Sequence, residues 1–171
     1  MSLHDELLDQ AEHLALLDDD PPRQANLRRA ASSAYYALFH LLTWETTALY
    51  ANDPALASQI GRTLNHMDMR KVSEAFLKGR LPEALEGVKP PATDPAWADL
   101  KFVTSMFIQL QQTRHEADYD LAPTFDQARV LDLIQSARDA FKAWSRVRNS
   151  DLARVYLGCF QLWKAWDVKR P

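Results

Sequence analysis

Four polar residues of one segment are spaced so that a helix would bring them into line. Arg29, Ser33, Tyr36 and His40 stand at offsets of 0, 4, 7 and 11, which on a helix puts them within about 60° of one another. A guanidinium, a hydroxyl, a phenol and an imidazole in a row can form an internal hydrogen-bond line, because buried polar groups need partners. The same row can form one wall of an anion- or base-binding groove, with Arg gripping phosphate and Tyr offering a stacking face. A second set, Arg114, His115 and Tyr119, lies in the run RHEADYD. It joins a fixed cation to an imidazole, whose pKa near about 6.5 suits proton transfer at neutral pH, and to a phenol, a poor base there with a pKa of about 10. Glu116, Asp118 and Asp120 are interleaved with these residues. They would repel a phosphate backbone, and Asp118 or Asp120 could instead pair with Arg114.

Other chemistry is poorly served. The chain has no Glu-x-x-His pair of the di-iron type, no HEXXH, no P-loop and no dinucleotide fingerprint. His66 and Asp68 are two residues apart and would leave a helix on different faces. The single cysteine, Cys159, cannot staple the fold, sits in an apolar stretch that suggests a buried small hydrophobe, and belongs to no zinc spacing. No metal and no cofactor are therefore expected.

The elements that would position these residues are helical throughout. Only 4 of 171 residues are glycine, 47% are hydrophobic and 25% charged, an ordinary globular mixture rich in good helix formers. Neither a membrane span nor a secretory leader is expected, so the chain reads as a soluble cytoplasmic protein. Charge is unevenly spread. Residues 1–20 hold seven acids and no Lys or Arg, whereas residues 129–170 hold nine Lys/Arg against four Asp. That asymmetry fits either a basic face for an anionic partner or charge complementarity within the molecule or between subunits.

Apolar spacing predicts helices over roughly 2–18 (Ser2 as N-cap; Leu3, Leu7, Ala11, Leu14 and Leu17 inward), 22–51, 54–61 and 64–78 (Met67, Val72 and Phe76 inward). After a Pro/Gly-rich link with a turn near 82–86, further helices are predicted from Asp94-Pro95 to about 117 and over 125–148, the latter capped by Thr124 and Gln127. A last helix runs from Ser150 to about 168. Leu27, Ala31, Ala34, Leu38, Leu41 and Leu42 form the inner face of the second helix, flanked by Tyr35, Phe39, Ala30 and Ala37. The fold class is all-α: an antiparallel bundle of four to five main helices over 1–148, with a C-terminal helix over 149–171 packed on the bundle or on a dimer interface. The apolar breadth of the second helix and Trp144, Trp163 and Trp166 suggest a homodimer.

The run LRRAASSAYYALFH resembles the signature helix of the HEPN superfamily, small helical bundles of many prokaryotic toxin–antitoxin and defence systems; Arg29, Ser33, Tyr35, Tyr36, Ala37 and His40 match it. Arg114 followed by Ala117, Asp118 and Tyr119 is similar to the second landmark of one subgroup. The resemblance covers about residues 5–145. It implies an RNA- or nucleotide-binding protein, and in many members a metal-independent endoribonuclease in which the RNA 2′-hydroxyl attacks the phosphate while an Arg stabilises the phosphate charge and a nearby His moves a proton. In those members a dimer completes the cleft. Here Arg114 is present and His115 follows it, but Tyr119 stands where the catalytic His would be. His115, or His40 if its helix lines the same cleft, would have to substitute. The alternative is a non-catalytic homodimer that serves as an interaction module, with an antitoxin or a nucleotidyltransferase-like protein as partner.

Overall fold

In the computed structural model, which describes residues 2–167, capping side chains set where most helices begin. Ser2 starts α1 (Leu3–Ala15): its Oγ accepts from the Asp5 N–H while the Asp5 carboxylate accepts from the Ser2 N–H. Asp53 starts α3 (Pro54–Gly61) with proline in the first turn, Asn65 starts α4 (His66–Leu77), and Ser150 starts α7 (Asp151–Trp166). The long helices are α2 (Gln24–Ala48), α5 (Pro95–Tyr119) and α6 (Gln127–Val147). A 3-10 turn, Glu83–Val88, occupies the link after α4. The described residues include no strand. The protein is all-α, its helices packed on one another as a bundle.

Several local expectations are corrected. α1 stops at Ala15, and its buried row is Leu8, Ala11 and Ala15, with Leu3 and Leu17 exposed. The apolar side of this helix is broad: Leu7 and Leu14 are half-buried at its edge, and the two alanines permit close approach at its centre. Met67 is exposed and Met69 takes the core position, since two residues along a helix turn a side chain by about 200°. Thr124 and Gln127 do not form a capping box. Asp126 stands directly before α6 and accepts from the Arg129 N–H at 3.0 Å, while Gln127 donates to the Ala15 carbonyl at 2.8 Å. The predicted end of the last helix at 168 lies outside the described residues.

The chain divides into two compact units, each made of two stretches. The first takes the chain up to Leu41 with Met106–Lys142. Its core is Leu27, Ala31, Ala34, Tyr35 and Leu38 of α2, with Phe107 and Leu110 of α5 and Ile134 and Ala137 of α6, all almost wholly buried. The Tyr35 and Phe107 rings lie 5.7 Å apart. Arg138 of α6 reaches Asp9 and Glu12 of α1 at 3.2 and 2.7 Å, so part of the charge asymmetry is matched within this unit.

The second unit takes Leu42–Ser105 with the chain from Ala143 onward. Here Tyr156 is fully buried, its ring 5.1 Å from Phe76, 4.7 Å from Phe160 and 6.4 Å from Trp144. Its hydroxyl lies 2.8 Å from Ser73 Oγ. As Ser73 Oγ already donates to the Met69 carbonyl, the tyrosine is the donor. Arg148 meets the buried Glu45 at 2.9 Å, and α7 packs on α4 and on the 3-10 turn.

Cys159 is wholly buried, and burial pushes its thiol from 9.0 up to about 12. An acid whose pKa is raised by folding stabilises the native state fully below its unfolded pKa, and that stability is lost as pH rises toward the folded value. Unfolding by denaturant at stepped pH should therefore show a loss of stability beginning near pH 9. Cys159→Ala should remove this first phase and delay the onset to about pH 10, where the unfolded tyrosines ionise. An unchanged onset would contradict the assignment.

Candidate functional site

Within the first unit, the N-terminal half of α2 and the C-terminal end of α5 bring the two sequence clusters together. α5 runs two residues beyond the expected 117 because an arginine holds its end. The Arg28 guanidinium donates to the carbonyls of Glu116 (3.3 Å), Ala117 (3.0 Å), Asp120 (2.7 Å) and Pro123 (2.7 Å). It also lies 5.2 Å from the centre of the Phe125 ring. A helix leaves its last four carbonyls without partners, and a cation there is favoured by the helix dipole as well.

With α5 so extended, Asp118 is the hinge of the site. Its Oδ2 lies 2.8 Å from Arg114 Nε, although the N–H is turned off the oxygen and makes an ion pair, not an aligned hydrogen bond. Its Oδ1 accepts from the buried Ser32 hydroxyl at 2.6 Å and lies 4.0 Å from Arg29. Arg114 Nη2 donates to the Tyr36 hydroxyl at 2.9 Å. The guanidinium carbon sits 5.5 Å from the Tyr36 ring centre and 5.3 Å from that of Tyr119, so two phenol rings flank it within cation–π range. Burial works against this charge most strongly of any single influence, but the Tyr36 hydrogen bond with the nearby Tyr36, Asp118 and Tyr119 outweighs it and raises the Arg114 pKa above its ordinary value.

Accessibility divides the cluster. The Arg114 side chain is 19% exposed, whereas that of Arg29, one turn along α2 from Ser33, is 74% exposed. Tyr119 is also open. Arg28, Arg29, Asp118 and Tyr119 line a cleft of about 420 Å³. Ser33 and His40 lie farther along the α2 stripe and face α1: Ser33 Oγ donates to Gln10 Oε1 at 3.3 Å. Burial and the charge of His4 hold the His40 pKa below its ordinary value. The stripe is therefore half-exposed, not sunk in the core. His115 is exposed, its ring 5.2 Å from that of Tyr119.

Tyr36 joins the two clusters: it touches Arg114 and lies 6.4 Å, ring to ring, from His40. The partners of Arg114 are Asp118, Tyr36 and Tyr119, with no imidazole among them. The set can grip an anion and stack a flat ring, but a proton-transfer group is not held on the guanidinium. Sequence reasoning missed Arg28 and Ser32. Their signal was slight: each is the neighbour of a residue that the stripe selected. Among the described residues no three His, Cys, Asp or Glu side chains gather to hold a metal ion, and no helix is long and apolar enough to cross a membrane. Comparison of the chain with protein-family models, with curated proteins and with solved structures gives no match.

Proposed function

We propose that this chain is a HEPN-like protein that binds RNA or a nucleotide at the cleft of Arg28, Arg29 and Tyr119, beside Arg114, and that it does so without cleaving it. One observation carries the reading: Arg114 is fixed between two phenol rings while Arg29 and Tyr119 stay open beside it. An open guanidinium takes phosphate in a forked contact, and an open phenol gives a base a surface to stack on. Ribonuclease chemistry is the weaker reading, because Arg114 has no imidazole partner and the phenol in the expected position is a poor base at neutral pH. In this reading the protein is cytoplasmic and works as a homodimer.

The Arg114–Asp118 pair favours a second reading. A half-buried pair tied further by Ser32 and Tyr36 suits a structural anchor in a non-catalytic homodimer that docks an antitoxin or a nucleotidyltransferase-like partner.

Fluorescence anisotropy with a labelled single-stranded RNA, run beside thermal melting and a cleavage assay in EDTA, separates these readings. Arg29→Ala should weaken RNA binding about tenfold at unchanged melting temperature. Arg114→Ala should weaken it about ten- to a hundredfold, and no cleavage should occur. Absence of RNA affinity in the parent protein, with a large fall in melting temperature for Arg114→Ala, would reject nucleic-acid binding in favour of the anchor. Cleavage that Arg114→Ala abolishes would restore the ribonuclease.

A further inference from the structure

The second unit contains a larger hollow, unrelated to the cleft above. α4 ends at a left-handed residue, Gly79, with φ +68°. This conformation lets the Arg80 N–H donate to the Ala75 carbonyl at 2.9 Å and the Gly79 N–H to the Phe76 carbonyl at 2.8 Å. That closure reverses the chain and satisfies two of the carbonyls a helix end leaves bare. Lys78 and Arg80, on either side of the glycine, then stand on the lining of a cavity of about 610 Å³ whose other wall is α7.

The lining of the cavity is of two chemical kinds. Val72 and Ala75 of α4, with Cys159, Phe160 and Trp163 of α7, supply its apolar surface. The Cys159 thiol, protonated at neutral pH, adds no charge to it. The polar lining carries four cations, Lys71, Lys78, Arg80 and Lys164, and three acids. Two of the acids are already engaged. Asp68 lies 4.0 Å from Lys71 and accepts from the Asn65 amide at 2.7 Å, and Glu74 lies 2.8 Å from Arg70. Among the described residues, Lys78, Arg80 and Lys164 have no acidic side chain within ion-pair distance. Only Asp167 is left to oppose them. The volume falls in the range of about 300–1,000 Å³ typical of small-molecule sites, which pair apolar walls with a few fixed polar groups.

We propose that this cavity binds an anionic amphiphile: a small molecule with an aromatic or branched apolar body and one carboxylate, phosphate or sulfonate head. The body lies against Val72, Phe160 and Trp163, and the head meets Lys78, Arg80 and Lys164. The Ala75 and Phe76 carbonyls, which would repel an anion at the end of α4, are turned to the Arg80 and Gly79 N–H groups instead.

Fluorescence titration with anilinonaphthalene sulfonate, and with uncharged phenylnaphthylamine as a probe of similar body, tests this. The sulfonate should bind saturably at one site per chain, and at least about tenfold more tightly than the uncharged probe. The triple variant Lys78→Ala, Arg80→Ala, Lys164→Ala changes only exposed side chains. With an unaltered circular dichroism spectrum, it should lose at least about tenfold in sulfonate affinity and keep its affinity for the uncharged probe. No saturable binding, equal binding of the two probes, or unchanged affinity in the triple variant would each overturn the proposal. None of these residues belongs to the RNA cleft, so either proposal can fail without the other.

Discussion

Tyr156→Ala should destabilise the protein by about 3–5 kcal/mol, the range for deleting a fully buried aromatic ring. The ring is enclosed by Phe76, Phe160 and Trp144, so α4, α6 and α7 all border the space left behind. Tyr156→Phe separates the hydroxyl from the ring. It keeps the packing and removes only the bond to Ser73, whose own hydroxyl retains the Met69 carbonyl. Its cost should be about 1 kcal/mol. Urea denaturation of the two variants measures both. A loss for Tyr156→Ala no greater than that for Tyr156→Phe would mean that the ring is not at the centre of this core.

Arg28→Ala should cost about 2–3 kcal/mol and lower the melting temperature by roughly 5–10 °C. One planar guanidinium serves four carbonyls, from Glu116 to Pro123. Water can replace it only in part where these groups are half-buried. Arg28→Lys tests the fork specifically, since an ammonium is a point donor that cannot span carbonyls on both sides. It should recover less than half of the loss. Calorimetric melting of the two variants decides, and full recovery by lysine would show that charge alone matters at the end of α5.

The fold was legible wherever pattern is local. The inner face predicted for α2, from Leu27 through Ala34 to Leu42, is buried residue for residue, because an apolar row at helical spacing has one way to hide. In α1 the leucines spread over one broad apolar side, so that which edge of it turns inward, Leu8 or Leu3, belongs to the neighbour it meets. Met67 was misread although spacing ranks the two methionines of its helix: Met69 stands three and seven residues before Val72 and Phe76 and shares their face. At the site, Arg114 and Asp118 are four apart on one helix and Asp118 was a named candidate partner, a spacing readable in advance. The Arg28 clamp was not readable. Its acceptors lie 88 to 95 residues away and are backbone carbonyls, which no residue type announces. Ser32 could not be told from Ser33 until α5 was in place beside it.

The shallow seating of α1 bears on how the α2 stripe can be reached. Only Leu8, Ala11 and Ala15 of this helix are buried, and two of those are alanines. Its other ties include the solvent-screened bridges from Arg138 to Asp9 and Glu12, the contact between Gln10 and Ser33, the Gln127 bond to the Ala15 carbonyl and the edge contact of His4 with Phe141. Segments held this lightly detach at a free energy well below that of global unfolding. In such a sub-globally open form Ser33 and His40 face water, and the wall that runs on from Arg29 and Tyr36 is lengthened by two polar groups. A long, flexible ligand bound along that wall would draw the population toward the open form by its preference for it. The lightly held first helix would then set how much of α2 a ligand bound along that wall could occupy.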